Sequence, residues 1–290
     1  MTKGDIPMKK LIALLIALAL TLSLTAALAD TITIAVPNDP TNEGPALLLL
    51  QSQGVLTLKE GSGLEATKGD IESSIVDIEL VEVEAALVPE IKQDVDYAII
   101  NNNYALDAGF SPAKDSLLME NAESPYVNVL TVKEGNENTD AAKALSAALS
   151  SKAVADFITT TWADGSVVCV IENVDEDGYD DTVNYDALAG TTISVGASPT
   201  PHAQVLAIAK EILAAKNITL EIIEFADYVQ PNLVVDAGEV FANYFAHIPY
   251  QENFNQENGT HLVNILGVHV EPMALYGGKQ ADLTALGISK

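Results

Sequence analysis

Four histidines, one cysteine and a dense acidic run are the residues here whose types could carry chemistry. His202, His247, His261 and His269 all fall in the last third of the chain. Their spacing fits no zinc-ligand pattern and no cysteine pair accompanies them, so no metal site is expected. Cys169 is the single cysteine, so it cannot form an intramolecular disulfide. Set between Val167, Val168, Val170 and Ile171, it reads as a small buried hydrophobe with no base beside it. The stretch 172–186 (ENVDEDGYDDTVNYD) holds seven acidic residues and reads as a solvated linker. Asn217 and Asn258 open glycosylation-type triplets, a motif short enough to recur by chance. No nucleophile elbow, phosphate loop or dinucleotide fingerprint appears, so neither a catalytic site nor a cofactor is expected. Taken alone, Tyr244 and Phe245 read as core and His247 as a satisfied polar residue.

The elements that would position these residues alternate between strand and helix. Thr31 to Val36 is β-branched and alternating, as a half-buried strand should be. A turn-rich loop, Pro37 to Gly44, leads to a helix opening over Ala46 to Gln53. Asp77 to Val83, Tyr97 to Ile100 and Tyr126 to Val132 read as further strands. Thr139 to Trp162 is alanine-rich with helical periodicity and carries two or three helical segments. Thr191 to Val195, Ala203 to Lys216 and Ile218 to Phe225 form a strand–helix–strand unit, which implies a parallel pair. The class is therefore α/β.

The chain has 290 residues and a formal net charge of -27, from 14 basic and 41 acidic residues. A field of that sign repels phosphate backbones and anionic lipid, and no basic stripe is present, so nucleic acid is excluded as a partner. Met8-Lys9-Lys10, the apolar run Leu11 to Thr25 and the small residues Ala27-Leu28-Ala29 make the three-part pattern of a secretory signal peptide. Residues 1–29 are expected to be removed, leaving Asp30 first and an exported product. No cysteine follows the apolar run, so lipid attachment at that point is not expected.

Seven blocks resemble the methionine-binding, NlpA-type lipoproteins. Four are Gly196-Ala-Ser-Pro-Thr-Pro-His-Ala203, Phe225-Ala-Asp-Tyr-Val-Gln-Pro-Asn232, Ala242-Asn-Tyr-Phe-Ala-His-Ile-Pro-Tyr250 and Gly267-Val-His-Val-Glu-Pro-Met273. The others are Ala35-Val-Pro-Asn-Asp-Pro-Thr-Asn-Glu-Gly44, Ile100-Asn-Asn-Asn-Tyr-Ala105 and Ser124-Pro-Tyr-Val-Asn128. Their order differs from that of the family, where the block starting at Gly196 comes first. The chain therefore looks circularly permuted. The cut lies between Lys290 and Asp30, and the old C-terminus near Gly165 runs through the acidic linker into Thr191. Such rearrangement is tolerated where ends lie close together and cuts fall in exposed loops.

The resemblance implies a two-lobed periplasmic-binding-protein (type 2) fold with ligand in the cleft between lobes. One lobe would be residues 113–278. The other would be 30–112 with the tail 279–290, and hinges would lie near Ser124 and Tyr276. It further implies an extracytoplasmic solute-binding component of an ABC importer, monomeric and partnered by a membrane permease. Its ligand would be methionine or a related amino acid or short peptide. By the same likeness Tyr228, Phe245, His247 and Tyr250 form the side-chain pocket, while Asn101 and Asn128 hold the ligand's amino-acid backbone. Such a site suits a zwitterion with an apolar tail, which needs donors for the carboxylate, acceptors for the ammonium and aromatic walls for a thioether.

This chain departs from the family pattern in one consequential place. The family has an arginine directly after the Asn-x-Gly stretch, and here Gly44 is followed by Pro45. Pro45 is expected in the first turn of its helix, where a missing N–H costs little, and that helix N-terminus would remain to attract an anion. Gln204 and Ala246 stand where the family often has Glu and Gln. Two alternatives stay open: a permutant that keeps the fold but binds weakly for want of the arginine, and an enzyme on the same fold.

Overall fold

The computed structural model describes residues 31–121 and 125–288. The signal peptide and the expected first and last residues, Asp30 and Lys290, lie outside the described residues. Among those described, no helix is long and apolar enough to cross a membrane.

The chain starts with β1 (Ile32–Pro37) and α1 (Pro40–Ser52). The helix begins six residues before the expected Ala46. Asp39 caps it by accepting the Asn42 N–H, and Pro40 suits the first helical position because it has no N–H to leave unsatisfied. Pro45 consequently falls inside the helix, not in its first turn. There its missing N–H leaves the Thr41 carbonyl without the usual intrahelical donor. β2 (Leu56–Leu58) and β3 (Ile71–Ser74) pair as a separate antiparallel ribbon. β4 (Ile78–Val83), α2 (Val88–Ile91), β5 (Tyr97–Ile100), α3 (Asn102–Asp107), α4 (Pro112–Asp115) and β6 (Leu118–Met119) complete the first pass.

The chain then crosses to a second sheet through β7 (Val127–Lys133), α5 (Asp140–Leu149), α6 (Lys152–Thr161) and β8 (Val168–Cys169). Thr139 and Ser151 cap the two helices, accepting the N–H of Ala142 and Val154, and so divide the alanine-rich run in two. After α7 (Tyr185–Leu188) come β9 (Thr192–Ala197), α8 (Gln204–Ala214) and β10 (Thr219–Glu224). β9 and β10 pair in parallel, Thr192 opposite Thr219, as a strand–helix–strand unit requires. α9 (Gln230–Asp236), β11 (Ala242–His247), α10 (Ile248–Asn258) and β12 (Leu262–Val270) follow, and β13 (Ala274–Gly277) returns to the first sheet.

Two sheets result, ordered β4-β1-β5-β13-β6 and β10-β9-β11-β7-β12-β8. The first is apolar on both faces, and the period of two along each strand sorts its residues. Ile34, Ile99 and Leu275 face one core with Leu47 and Leu50 of α1. Ala35, Ala98, Ile100 and Tyr276 face another with Val88. The second sheet buries Leu130, Val195 and Tyr244 against Leu145, Ile158 and Leu206. β6 and β13 hydrogen-bond into the first sheet, β13 pairing antiparallel with both β5 and β6. Residues 113–119 and 274–278 therefore sit with the first lobe, where the sequence suggested boundaries at 112/113 and 278/279. One crossing falls between Met119, which ends β6, and Val127, which begins β7, and the other at 271–273, just upstream of Tyr276; Ser124 lies outside the described residues.

The acidic stretch is more than a solvated linker. Six of its seven acidic residues are exposed, but its backbone is anchored. Lys152 N–H donates to the Asp175 carbonyl at 2.6 Å, Tyr179 OH donates to the Ile212 carbonyl at 3.0 Å, and Val183 is buried in the core.

Candidate functional site

A cavity lies where the two lobes meet, about 500 Å3 when the solvent-open space at its mouth is included. Tyr228, Phe245, His247, Tyr250, Asn101 and Asn128 all line it. Local structure explains why they converge. β11 pairs with β7 through a register shift between Tyr244 and Ala246, which leaves Phe245 as the extra, unpaired residue. Such a bulge re-aims a side chain. Tyr244 remains in the sheet core, while Phe245 joins Tyr250, Phe254 and Tyr228 in a separate aromatic cluster. The Tyr228 ring lies 5.8 Å from Phe245 and 5.6 Å from Tyr250 between centroids. His247 ends the strand and caps α10, its Nδ1 accepting the Tyr250 N–H at 3.1 Å. Its other nitrogen then carries the proton and faces Asn42 Oδ1 across the cleft at 3.2 Å.

The opposite wall is polar. Asn101, Asn102 and Asn103 follow β5 directly, at the end of a strand buried along its whole length. Asn101 Nδ2 donates to Asn42 Oδ1 at 2.6 Å. Tyr228 OH donates to Asn103 Oδ1 at 2.6 Å, a second hydrogen bond between lobes. The buried Asn101 Oδ1, Asn102 Oδ1 and Asn103 Nδ2 have no protein partner. Buried polar atoms are normally paired, so this wall is shaped for a polar ligand group.

Several lining residues were not singled out from sequence: Asn42, Asn102, Asn103, Glu120, Tyr126 and Glu271. Glu120 accepts the Met273 N–H at 2.9 Å, and burial pushes its carboxyl up to about 7. Glu271 sits at the crossing between lobes. His269 Nε2 lies 2.7 Å from its Oε1 and His202 Nε2 3.2 Å from the same atom, while Asn102 Nδ2 donates to Oε2 at 3.3 Å. Burial alone would raise the Glu271 pKa, but His202, then His269 and Asn102, outweigh it and leave the carboxyl below its ordinary range. Burial holds the His202 imidazole down to about 3 and that of His247 down to about 4, so both are neutral at pH 7. His202 Nε2 also lies 3.0 Å from Asn128 Oδ1, which ties the expected ligand-holding asparagine to the carboxylate network. His202, His269 and Glu271 thus form a compact cluster that the histidine spacing gave no sign of, because it assembles from two stretches of chain far apart in sequence. The sequence signals available were the run of three asparagines after a buried strand and the glutamate before Pro272.

Two α/β lobes thus enclose a partly polar, partly aromatic cavity at their junction. The chain belongs to the NlpA lipoprotein family, whose model matches residues 21–171 and 193–289. It is 45% identical over 116 residues to the probable D-methionine-binding lipoprotein MetQ of Pasteurella multocida, covering 40% of this chain and 42% of that protein. It is 42% identical over 136 residues to the D-methionine-binding lipoprotein MetQ of Yersinia pestis, covering 46% and 50%. The chain spans about half the length of the curated relatives it matches. Among solved structures, a nutrient-binding protein of Burkholderia cenocepacia bound to methionine shares 47% identity, with a TM-score of 0.31 over 34% of this chain and 43% of that one. A putative lipoprotein of Ruminococcus gnavus shares 45% identity, with a TM-score of 0.46 over 48% and 59%. Family and relatives alike are lipoproteins, placing the chain among exported proteins associated with the cell envelope.

Proposed function

We propose that this protein is the extracytoplasmic solute-binding component of an ABC importer, taking methionine or a related amino acid or short peptide into its interlobe cavity. The observation that carries this reading is the convergence of an aromatic wall (Tyr228, Phe245, Tyr250) and an asparagine wall with unpartnered buried atoms on one cavity. Aromatic rings suit a thioether, and relatives are named as D-methionine-binding. Asn101 and Asn128 would hold the ligand's polar end, and His247 would close the cleft. The protein would act as a monomer with a membrane permease as partner and without catalysis. The alternative of a permutant that keeps the fold but binds weakly is not favoured, since the relatives are named as methionine-binding. A thermal-shift screen with L- and D-methionine and methionine-containing dipeptides tests the reading, because a ligand bound only by the native state raises the melting temperature. No shift with any of them would overturn it.

The permuted chain order is part of the same proposal. The family model matches in two blocks, and the unmatched 172–192 between them contains the acidic stretch expected to join the old ends. Ile32 and Ile288, close to the two expected termini, pack on one core. A chain rebuilt as residues 193–289 followed by 31–171 should fold and bind as the parent does. Failure of that chain to fold would count against permutation.

A further inference from the structure

The charge inside the cavity points to a narrower ligand class than the free amino acid. The sequence contains no arginine, its 14 basic residues all being lysine. None of the residues lining the cavity is a lysine, while Glu120 and Glu271 both line it. Burial keeps His202 and His247, which stand beside it, neutral at pH 7.

The N-termini of α1 and α10 do not substitute for the missing cation, and only the short α3, uncapped at Asn101, turns free N–H groups toward the cavity. At α1 the cap is taken by the chain's own Asp39, whose Oδ1 accepts the Asn42 N–H at 3.1 Å and the Thr41 hydroxyl at 2.8 Å. Glu43 occupies the same turn, and Pro40 has no N–H to offer. At α10 the Tyr250 N–H is taken by His247 and position 249 is proline.

The asparagines supply acceptors more than donors. Asn42 turns Nδ2 to both oxygens of Asp39 at 3.0 Å, so its Oδ1 is the atom facing Asn101. Asn101 must then present Nδ2 to it and keep Oδ1 free. Asn102 turns Nδ2 to Glu271, which accepts only, and likewise keeps Oδ1 free. Asn103 Nδ2 is the single unpartnered amide donor of the three. Two carboxyl groups and two free amide oxygens therefore face the ligand against two amide donors, Asn103 Nδ2 and the Nδ2 of Asn128, whose Oδ1 is turned to His202.

We propose that this cavity selects a monocationic amine with an apolar, thioether-like tail, whose carboxyl is missing or masked as an amide, over the zwitterionic amino acid. The proposal rests on the reading of the cavity as a methionine-type site and sharpens it. A buried ammonium finds carboxylate and carbonyl acceptors here, whereas a buried carboxylate meets two carboxyl groups and only neutral donors, with no cation to pair it. The Pro45 position fits this, because it removes the one side chain in the family pattern that would have held a free carboxylate. The overall charge of -27 also draws a cationic solute toward the protein. Glu120 poised near pH 7 would lose its proton to solvent as the ammonium arrives.

Calorimetry at pH 7 on the full mature chain tests this with three probes: L-methionine, L-methionine amide and 3-(methylthio)propylamine. The amide and the amine should bind at least tenfold more tightly than methionine, with net proton release seen as buffer-dependent heat. Comparing those two separates a masked carboxyl from a missing one. Glu271→Gln should abolish the preference. Because that change also alters the histidine network, Glu120→Gln is the second variant, and it should narrow the preference and remove the proton release. Methionine binding as tightly as the amide would overturn the proposal and leave the methionine-type site standing. Absence of binding by all three would overturn both.

Discussion

His247, the last residue of β11, faces Asn42 of α1 across the interlobe cleft, with Nε2 3.2 Å from Oδ1. The same Asn42 oxygen accepts from Asn101 Nδ2, so one amide carbonyl joins a histidine of the second lobe to an asparagine of the first. Burial keeps His247 neutral at pH 7, so its Nε2–H is a donor carrying no net charge that would repel a cationic ligand.

Removing that amide should loosen the cleft from both sides. Asn42→Ala strands the His247 N–H and the Asn101 amide, and each stranded buried donor costs about 1–3 kcal/mol. Denaturant unfolding should show a fall in stability of that order without ligand. An unchanged midpoint would mean that the cleft is open in solution.

Phe245→Ala should weaken any thioether ligand by about 1–3 kcal/mol, the loss expected for a packed aromatic contact. Asn128→Ala should cost a similar amount, since it removes the ligand contact and also unpairs His202. Calorimetry on the two variants checks both, and undiminished affinity in each would place the ligand elsewhere.

Pro45→Arg restores a cation to a cavity that has none among its lining residues. Free methionine should bind about tenfold more tightly or better, while methionine amide should gain little or lose. The variant should also be more stable without ligand, because Pro45 interrupts the helix and interior prolines cost about 3 kcal/mol. Affinity is therefore the measurement that decides, not melting temperature. Equal affinity for methionine in variant and parent would mean that other donors hold the carboxylate.

Glu120 sets a pH dependence of known sign. Its folded pKa of about 7 lies above the ordinary 4.5. Between those values the folded chain keeps a proton that the unfolded chain has released, so this group's contribution is full below about 4.5 and is lost as pH rises through 7. The shift corresponds to about 3 kcal/mol. Urea midpoints of the parent should fall relative to those of Glu120→Gln between pH 5 and pH 8, and parallel profiles would show that Glu120 is solvated.

The sequence by itself determined the α/β alternation, the strand Tyr97–Ile100 and the parallel pair around Thr191 to Val195 and Ile218 to Phe225, and six residues that do meet at one cavity. These were legible because period-two burial is written locally and because resemblance carries residue types in fixed blocks. It misplaced the start of α1, since the capping strength of Asp39 and Pro40 outweighed the turn-like look of the loop before it. Only the tertiary structure decided the bulge that turns Phe245 out of the sheet, the pairing that draws β6 and β13 into the first lobe, and the meeting of His202, His269 and Glu271. The charge balance of the cavity belongs to the same group. An ion's effect depends on distance and burial, and neither exists until residues 45, 120 and 271 are folded against one another.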